Sequence, residues 1–256
     1  MEEKKIVAVI PARMASSRFP GKPLVNILGL PMIEHVRRRV SLCKGIEVYV
    51  ATCDNEIRTI VEAHGGKVIM TSDKHLRCTD RIEEAVANLD AEVVVNVQGD
   101  EPTVVPQAIA EVSTPLLTNG AFQCSCLIYP LSDLSELQNP NVVKTVVSRN
   151  HSILYFSRSP IPYLRENCNM QFYKQSGIMA FRKDFLHLYS RLPATPLEIA
   201  ESVDMLRVLE HGYKILGIPT TQVSMGVDIP EDVKIVEEIL KENDLQKKLY
   251  EQIIRQ

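Results

Sequence analysis

The sequence has no excess of positive charge, no long apolar run and no cysteine pair at metal-binding spacing, and each absence removes a class of function. Of its 256 residues, 29 are basic and 32 acidic, giving a formal charge of −3. Without a net basic field the chain is not expected to bind nucleic acid, and any anion site has to be local. No apolar stretch approaches the roughly 20 residues that span a bilayer, so no membrane partner is expected. The first ten residues, MEEKKIVAVI, lack a signal-peptide layout. Six cysteines (Cys43, Cys53, Cys78, Cys124, Cys126 and Cys168) are scattered without a CxxC pair. Their even number permits disulfides, but a chain of this size with no export signal fits reduced thiols in the cytoplasm. Zinc is disfavoured because no Cys/His cluster has ligand spacing. Repeats, low-complexity segments and obvious linkers are also missing, and 45% hydrophobic content suits one principal domain.

Both common phosphate-loop motifs are absent as well. There is no G-x-G-x-x-G, and the Walker pattern fails around Gly21-Lys22, with Ser at position 16 and Pro at position 23. What stands there instead is PARMASSRFPGKPL, Pro11 to Leu24, directly after the apolar run IVAVI. Arg13, Arg18 and Lys22 lie among Ser, Gly and Pro, where guanidinium forks and a lysine point charge suit a polyphosphate.

Strands are predicted at Lys5–Ile10, IEVYVA, KVIM and EVVVNV, apolar on both faces. Helices alternate with them: LPMIEHVRRRVSLC, with Ile33, Val36 and Val40 on one face, then EIRTIVEAHGG capped by Asp54, then a helix from about Asp80. This alternation predicts an α/β fold, with a mostly parallel central sheet flanked by helices. After Phe122 the rhythm changes. QCSCLIY, VVKTVVS and SILYFS predict a small antiparallel subdomain, about residues 122–195, inserted in a single domain spanning 1–256. LEIAESVDMLRVLEHG then reads as one helix with His211 near its end. A strand YKILGI and two C-terminal helices from about Pro230 follow, the last placing Leu245, Leu249, Ile253 and Ile254 on a packing face.

In open α/β sheets, ligands bind beyond the carboxyl ends of the strands. The loop Pro11 to Leu24 and the segment QGDEP both fall there. Asp100, just after Gly99, suits a magnesium ligand sharing the ion with substrate phosphate, although a turn cap would use the same residue. Asp228, in GVDIPED, is an ordinary helix start by itself and gains weight as a second carboxylate for the same ion. No Ser–His or Cys–His nucleophile pair is suggested by spacing.

Taken together, IPARMASSRFPGKPL, ATCDNEI, HLRCTDRIEEA, NVQGDEP, NPNVVK, YFSRSPIPY, SGIMAFRKDFL, LEIAESVDMLRVLEHG and GVDIPEDV resemble the 3-deoxy-manno-octulosonate cytidylyltransferases, or CMP-KDO synthetases, from about residue 6 to 235. The resemblance implies a Rossmann-like nucleotidyltransferase fold. It also implies transfer of CMP from CTP to the anomeric hydroxyl of a 2-keto-3-deoxy sugar acid, KDO or a modified form such as the 8-amino one, releasing pyrophosphate for lipopolysaccharide or surface-glycan synthesis. A cytoplasmic homodimer is expected on the same grounds. By this analogy Arg13 and Lys22 grip the triphosphate with Arg18 nearby, and Asp100 and Asp228 hold Mg²⁺. His75, Thr79, Arg81 and Gln98 lie by the cytosine and ribose, and Lys144, Arg158, Gln175, Glu198 and Glu201 face the sugar.

The chain departs from the family pattern at three places. Cys53 stands for a usual Asp. Arg77-Cys78 replaces Ser-Gly beside the nucleotide, and Gln175 and Met179 replace a His and a Tyr on the sugar side. A site that hydrogen-bonds particular hydroxyls discriminates strongly, so changed donors point to a changed acceptor preference. A nine-carbon ulosonic acid acceptor, another base or acceptor, and a non-catalytic nucleotide-binding homologue are the alternatives.

Overall fold

The computed structural model describes residues 5–15, 19–75, 77–131, 133–166 and 169–256. In chain order the strands and helices are β1 (Ile6–Pro11), β2 (Asn26–Ile27), β3 (Leu30–Pro31), α1 (Met32–Ser41), β4 (Ile46–Thr52), α2 (Asn55–Ala63), β5 (Lys67–Met70), α3 (Cys78–Val86), β6 (Val93–Asn96), α4 (Pro106–Thr118), β7 (Cys124–Pro130), β8 (Lys144–Val147), β9 (Ile153–Ser157), β10 (Tyr173–Arg182), α5 (Lys183–Tyr189), α6 (Pro196–Glu201), α7 (Met205–Glu210), β11 (Ile215–Pro219), α8 (Asp232–Glu242) and α9 (Asp244–Ile253).

One sheet organises them, in the order β11-β7-β10-β6-β1-β4-β5, with β8 and β9 attached at β10. β1, β4, β5 and β6 run parallel, and β11 runs parallel to β7. β10 is antiparallel to β6 and β7. Alternation along β1 sends Ala8 and Ile10 to one face, against Ile33, Val36 and Val40 of α1 and Ile109 of α4. Val7 and Val9 go to the other, against Ile82 of α3 and Met205 of α7. Because both faces are covered, β1 is apolar throughout, the signal that made it legible.

Three expectations are revised in detail. The antiparallel part expected within 122–195 is joined to the main sheet: β7 and β10 are interior strands of it, and the β8–β9 hairpin extends from β10. The single helix expected over LEIAESVDMLRVLEHG is two, α6 and α7, broken where Ser202 takes φ 51°. The break turns the Asp204 carboxylate toward Thr79, whose hydroxyl donates to it at 3.3 Å. Asp54 sits at the start of α2 without capping it; its carboxylate accepts from the Met14 amide at 2.7 Å, tying down the loop after β1. Of the four residues expected on the packing face of the last helix, Leu249 and Ile253 are buried and Leu245 and Ile254 are exposed. No helix among the described residues is long and apolar enough to cross a membrane, and the five described cysteines are free.

Candidate active site

β1 and β6 are parallel neighbours, so the loops leaving their carboxyl ends emerge side by side. They meet closely at Gly99. A Cβ there would lie 2.8 Å from the Pro11 carbonyl oxygen, so only glycine admits this approach. The contact brings Asp100 to Lys22. The ammonium of Lys22 lies 2.6 Å from Asp100 Oδ2 and 3.8 Å from Asp228 Oδ1, and donates to the Val227 carbonyl at 2.8 Å. Three residues distant in sequence thus converge on one point. The Lys22 side chain is mostly covered and the two carboxylates are open to solvent, at 35% and 59% exposure.

A cavity of about 260 Å³ opens beside them, lined by Arg13, Lys22, His75, Arg77, Cys78, Arg81, Gln98 and Asp100 among others. Four of these are cations and one is a carboxylate, a balance suited to a polyanion. Arg81 is fixed by a bond to the Thr71 hydroxyl and His75 by the Glu84 carboxylate, while Gln98 donates to Asn96 Oδ1 at 3.3 Å. Arg18 lies outside the described residues.

A second cavity of about 390 Å³ shares Arg77, Cys78 and Gln98 with the first, and adds Thr79, Met179, Glu198 and Asp204. A third, of about 350 Å³, shares Met179 and contains Gln175. The three adjoin as a trench along the carboxyl edge of the sheet. Burial raises the Asp204 carboxyl, which the Thr79 bond and Arg77 partly offset.

The residues expected to face the sugar divide into two groups. Glu198 lines the second cavity and Gln175 the third. Lys144 is buried, and its ammonium donates to the carbonyls of Asn139 at 2.9 Å, Val142 at 2.7 Å and Arg158. Arg158 is likewise spent on carbonyls: Glu201 at 2.6 Å, Pro140 at 2.8 Å and Ser202 at 3.3 Å. Glu201 accepts from the Ser157 hydroxyl at 2.7 Å and the Arg158 amide at 2.8 Å. These three brace α6 against β9 and the loop before β8. Their charges were visible in the sequence; the carbonyls that absorb them were not.

Sequence reasoning also missed a buried polar chain behind Asp100. The Ile178 amide donates to Ser176, whose hydroxyl donates to the Tyr129 phenol at 3.1 Å. Tyr129 meets Ser224 at 3.1 Å, and Ser224 donates to the Glu101 carboxylate. Burial pushes Glu101 up to about 7. Gly177 lets the carboxylate approach, since a Cβ there would lie 2.4 Å from Glu101 Oε1. The same loops are stitched by Met225 N to Thr103 Oγ1 at 2.6 Å and Val227 N to the Asp100 carbonyl at 2.8 Å. The acidic Glu101 in QGDEP was the available signal, but its partners are more than 120 residues away or in another strand.

Among the described residues no cluster of three His, Cys, Asp or Glu groups forms a ready metal cage. Two carboxylates converging on one ammonium still fit a hard divalent cation. Mg²⁺ keeps several waters and binds through one or two carboxylates plus substrate phosphate, so the donor set of Asp100 and Asp228 suits it.

Comparison with known proteins gives consistent relatives. The family model for cytidylyltransferases matches residues 7–215. A 3-deoxy-manno-octulosonate cytidylyltransferase of Geobacter metallireducens is 43% identical over 248 residues, covering 92% of this chain and 98% of the relative. An 8-amino-3,8-dideoxy-manno-octulosonate cytidylyltransferase of Shewanella pealeana is 44% identical over 237 residues, covering 91% and 97%. The solved structure of a CMP:2-keto-3-deoxy-manno-octonic acid synthetase complexed with CTP superposes with a TM-score of 0.89 at 39% identity, covering 93% of this chain and 99% of that one.

Proposed function

Because this chain belongs to the cytidylyltransferase family, we propose that it transfers CMP from CTP to the anomeric hydroxyl of 3-deoxy-manno-octulosonate or its 8-amino form, releasing pyrophosphate. The observation that carries the reading is the convergence of Lys22, Asp100 and Asp228 beside a cavity rimmed by Arg13 and Arg81.

The chemistry follows from charge. Nucleotidyl transfer needs the attacking and leaving oxygens held in line and negative charge cancelled, more than it needs a covalent intermediate. Arg13 offers a guanidinium fork to the triphosphate from the loop after β1. Lys22, held by the Val227 carbonyl, supplies a fixed positive charge where charge builds on departing pyrophosphate. Arg81, His75, Thr79 and Gln98 fit the base and ribose, and Gln175 fits the acceptor. Asp100 and Asp228 would hold Mg²⁺, which when bound would neutralise phosphate charge and lower the pKa of the attacking hydroxyl. Both substrates are anions, so a chain with no net positive charge has to meet them with this local cluster. We extend the reading to a cytoplasmic homodimer serving surface-glycan synthesis.

The test is pyrophosphate release with Mg²⁺ from each of the four nucleoside triphosphates against KDO, its 8-amino analogue and nine-carbon ulosonic acids. Release from CTP that requires an eight-carbon acid is expected. CTP binding with no turnover on any acid would overturn the reading.

A further inference from the structure

Both cations expected on the sugar side, Lys144 and Arg158, are consumed by carbonyl oxygens. Neither is therefore offered to an acid acceptor in the second cavity. Of the described residues lining the second cavity, Arg77 alone is cationic, and it faces two carboxyl groups there, Glu198 and Asp204. An anion entering a space walled by two carboxyls meets repulsion unless this guanidinium receives it.

Arg77 is also a surplus cation. Its Nη2 lies 2.9 Å from Glu198 Oε1, but Glu198 is already gripped by Arg207, with Nε 2.7 Å from Oε2 and Nη2 2.6 Å from Oε1. The Arg207–Glu198 pair is buried, with both side chains at most 5% exposed, whereas the Arg77 side chain is 35% exposed. Removing or turning Arg77 leaves Glu198 still neutralised. A guanidinium has five N–H donors in a planar fork. The ion pair with Glu198 orients that fork at the seam shared by the nucleotide cavity and the second cavity.

The geometry points to Arg77 as a specificity-determining residue that receives the carboxylate of the sugar-acid acceptor at the seam between the two cavities. This rests on the acid-acceptor reading above. It gives the arginine that replaces a small residue in this chain a chemical purpose: the acid is gripped from the α3 side of the trench, where Lys144 and Arg158 do not reach. It also places acid recognition near Met179, where the second and third cavities meet.

The experiment compares wild type with Arg77→Gln and Arg77→Lys. Steady-state kinetics are run with CTP and KDO, and KDO binding is measured by calorimetry with a non-hydrolysable CTP analogue. In Arg77→Gln the KM for KDO should rise at least about tenfold while the KM for CTP stays within about twofold, because a charge-assisted hydrogen bond is lost on one substrate alone. Arg77→Lys should recover part of the loss, since it keeps the charge but not the fork. A purely structural role would lower the melting temperature without separating the two KM values. Turnover by the wild type with an unchanged acid KM in Arg77→Gln would overturn this inference and leave the activity standing. Wild-type KDO binding that Arg77→Gln loses, with no product formed, would uphold it and overturn the activity.

Discussion

Two clusters of charge in this molecule use the same residue types to opposite ends. On α1, Glu34, His35, Arg37, Arg38 and Arg39 are all buried. Glu34 takes both Nε and Nη2 of Arg37 at 2.7 Å and Nε of Arg38 at 3.0 Å. Arg38 reaches the Ile253 carbonyl at 2.8 Å and Arg39 the Gln246 side chain at 2.7 Å, clamping α9 to the body. At the carboxyl edge of the sheet, Lys22, Asp100 and Asp228 also meet, but there the carboxylates stay open to solvent and the neighbouring cavity is walled by further cations. Charge that the fold has saturated is structural; charge that it gathers and leaves accessible is available for substrate. Lys144 and Arg158 fall in the first class and Arg77 in the second.

That division is easiest to break on the saturated side. Glu34→Gln leaves two buried guanidiniums without their carboxylate and should cost about 3–5 kcal/mol of stability. Urea unfolding measures it, and kcat of the remaining folded enzyme should be unchanged. A smaller effect comes from His35, whose Nε2 bonds the Ile27 carbonyl at 2.8 Å while its Nδ1 has no partner among the described residues. Burial lowers its pKa from 6.5 to about 4, with Arg39 and Arg38 also disfavouring the charged form and Glu34 and the Ile27 bond opposing them. The unfolded chain therefore binds this proton more readily than the folded one. The contribution is fully present above about pH 6.5 and is lost as pH falls toward 4. Stability measured across that window should fall less steeply in His35→Gln than in wild type.

The strands β1 and β6 were legible because sheets covered on both faces demand uninterrupted apolar runs. β10 was not, since YKQSGIMAFR mixes polar and apolar residues around a register shift between Gln175 and Met179. The α6–α7 break escaped periodicity because the contact it serves, the bond from Thr79 to Asp204, spans 125 residues. In the site, Lys22, Asp100 and Asp228 were readable as charges placed after strands. Whether a charge is spent or available was not, because the carbonyls around Lys144 and the Arg207 that frees Arg77 are assembled only by the fold.

The most direct test of the division between spent and available charge is turnover and melting temperature of Asp100→Asn, measured on one sample with Mg²⁺, CTP and KDO. Loss of turnover by at least about a hundredfold, with the melting temperature within about 2 °C of wild type, is the predicted result. Undiminished turnover, or inactivity explained by unfolding, would contradict it.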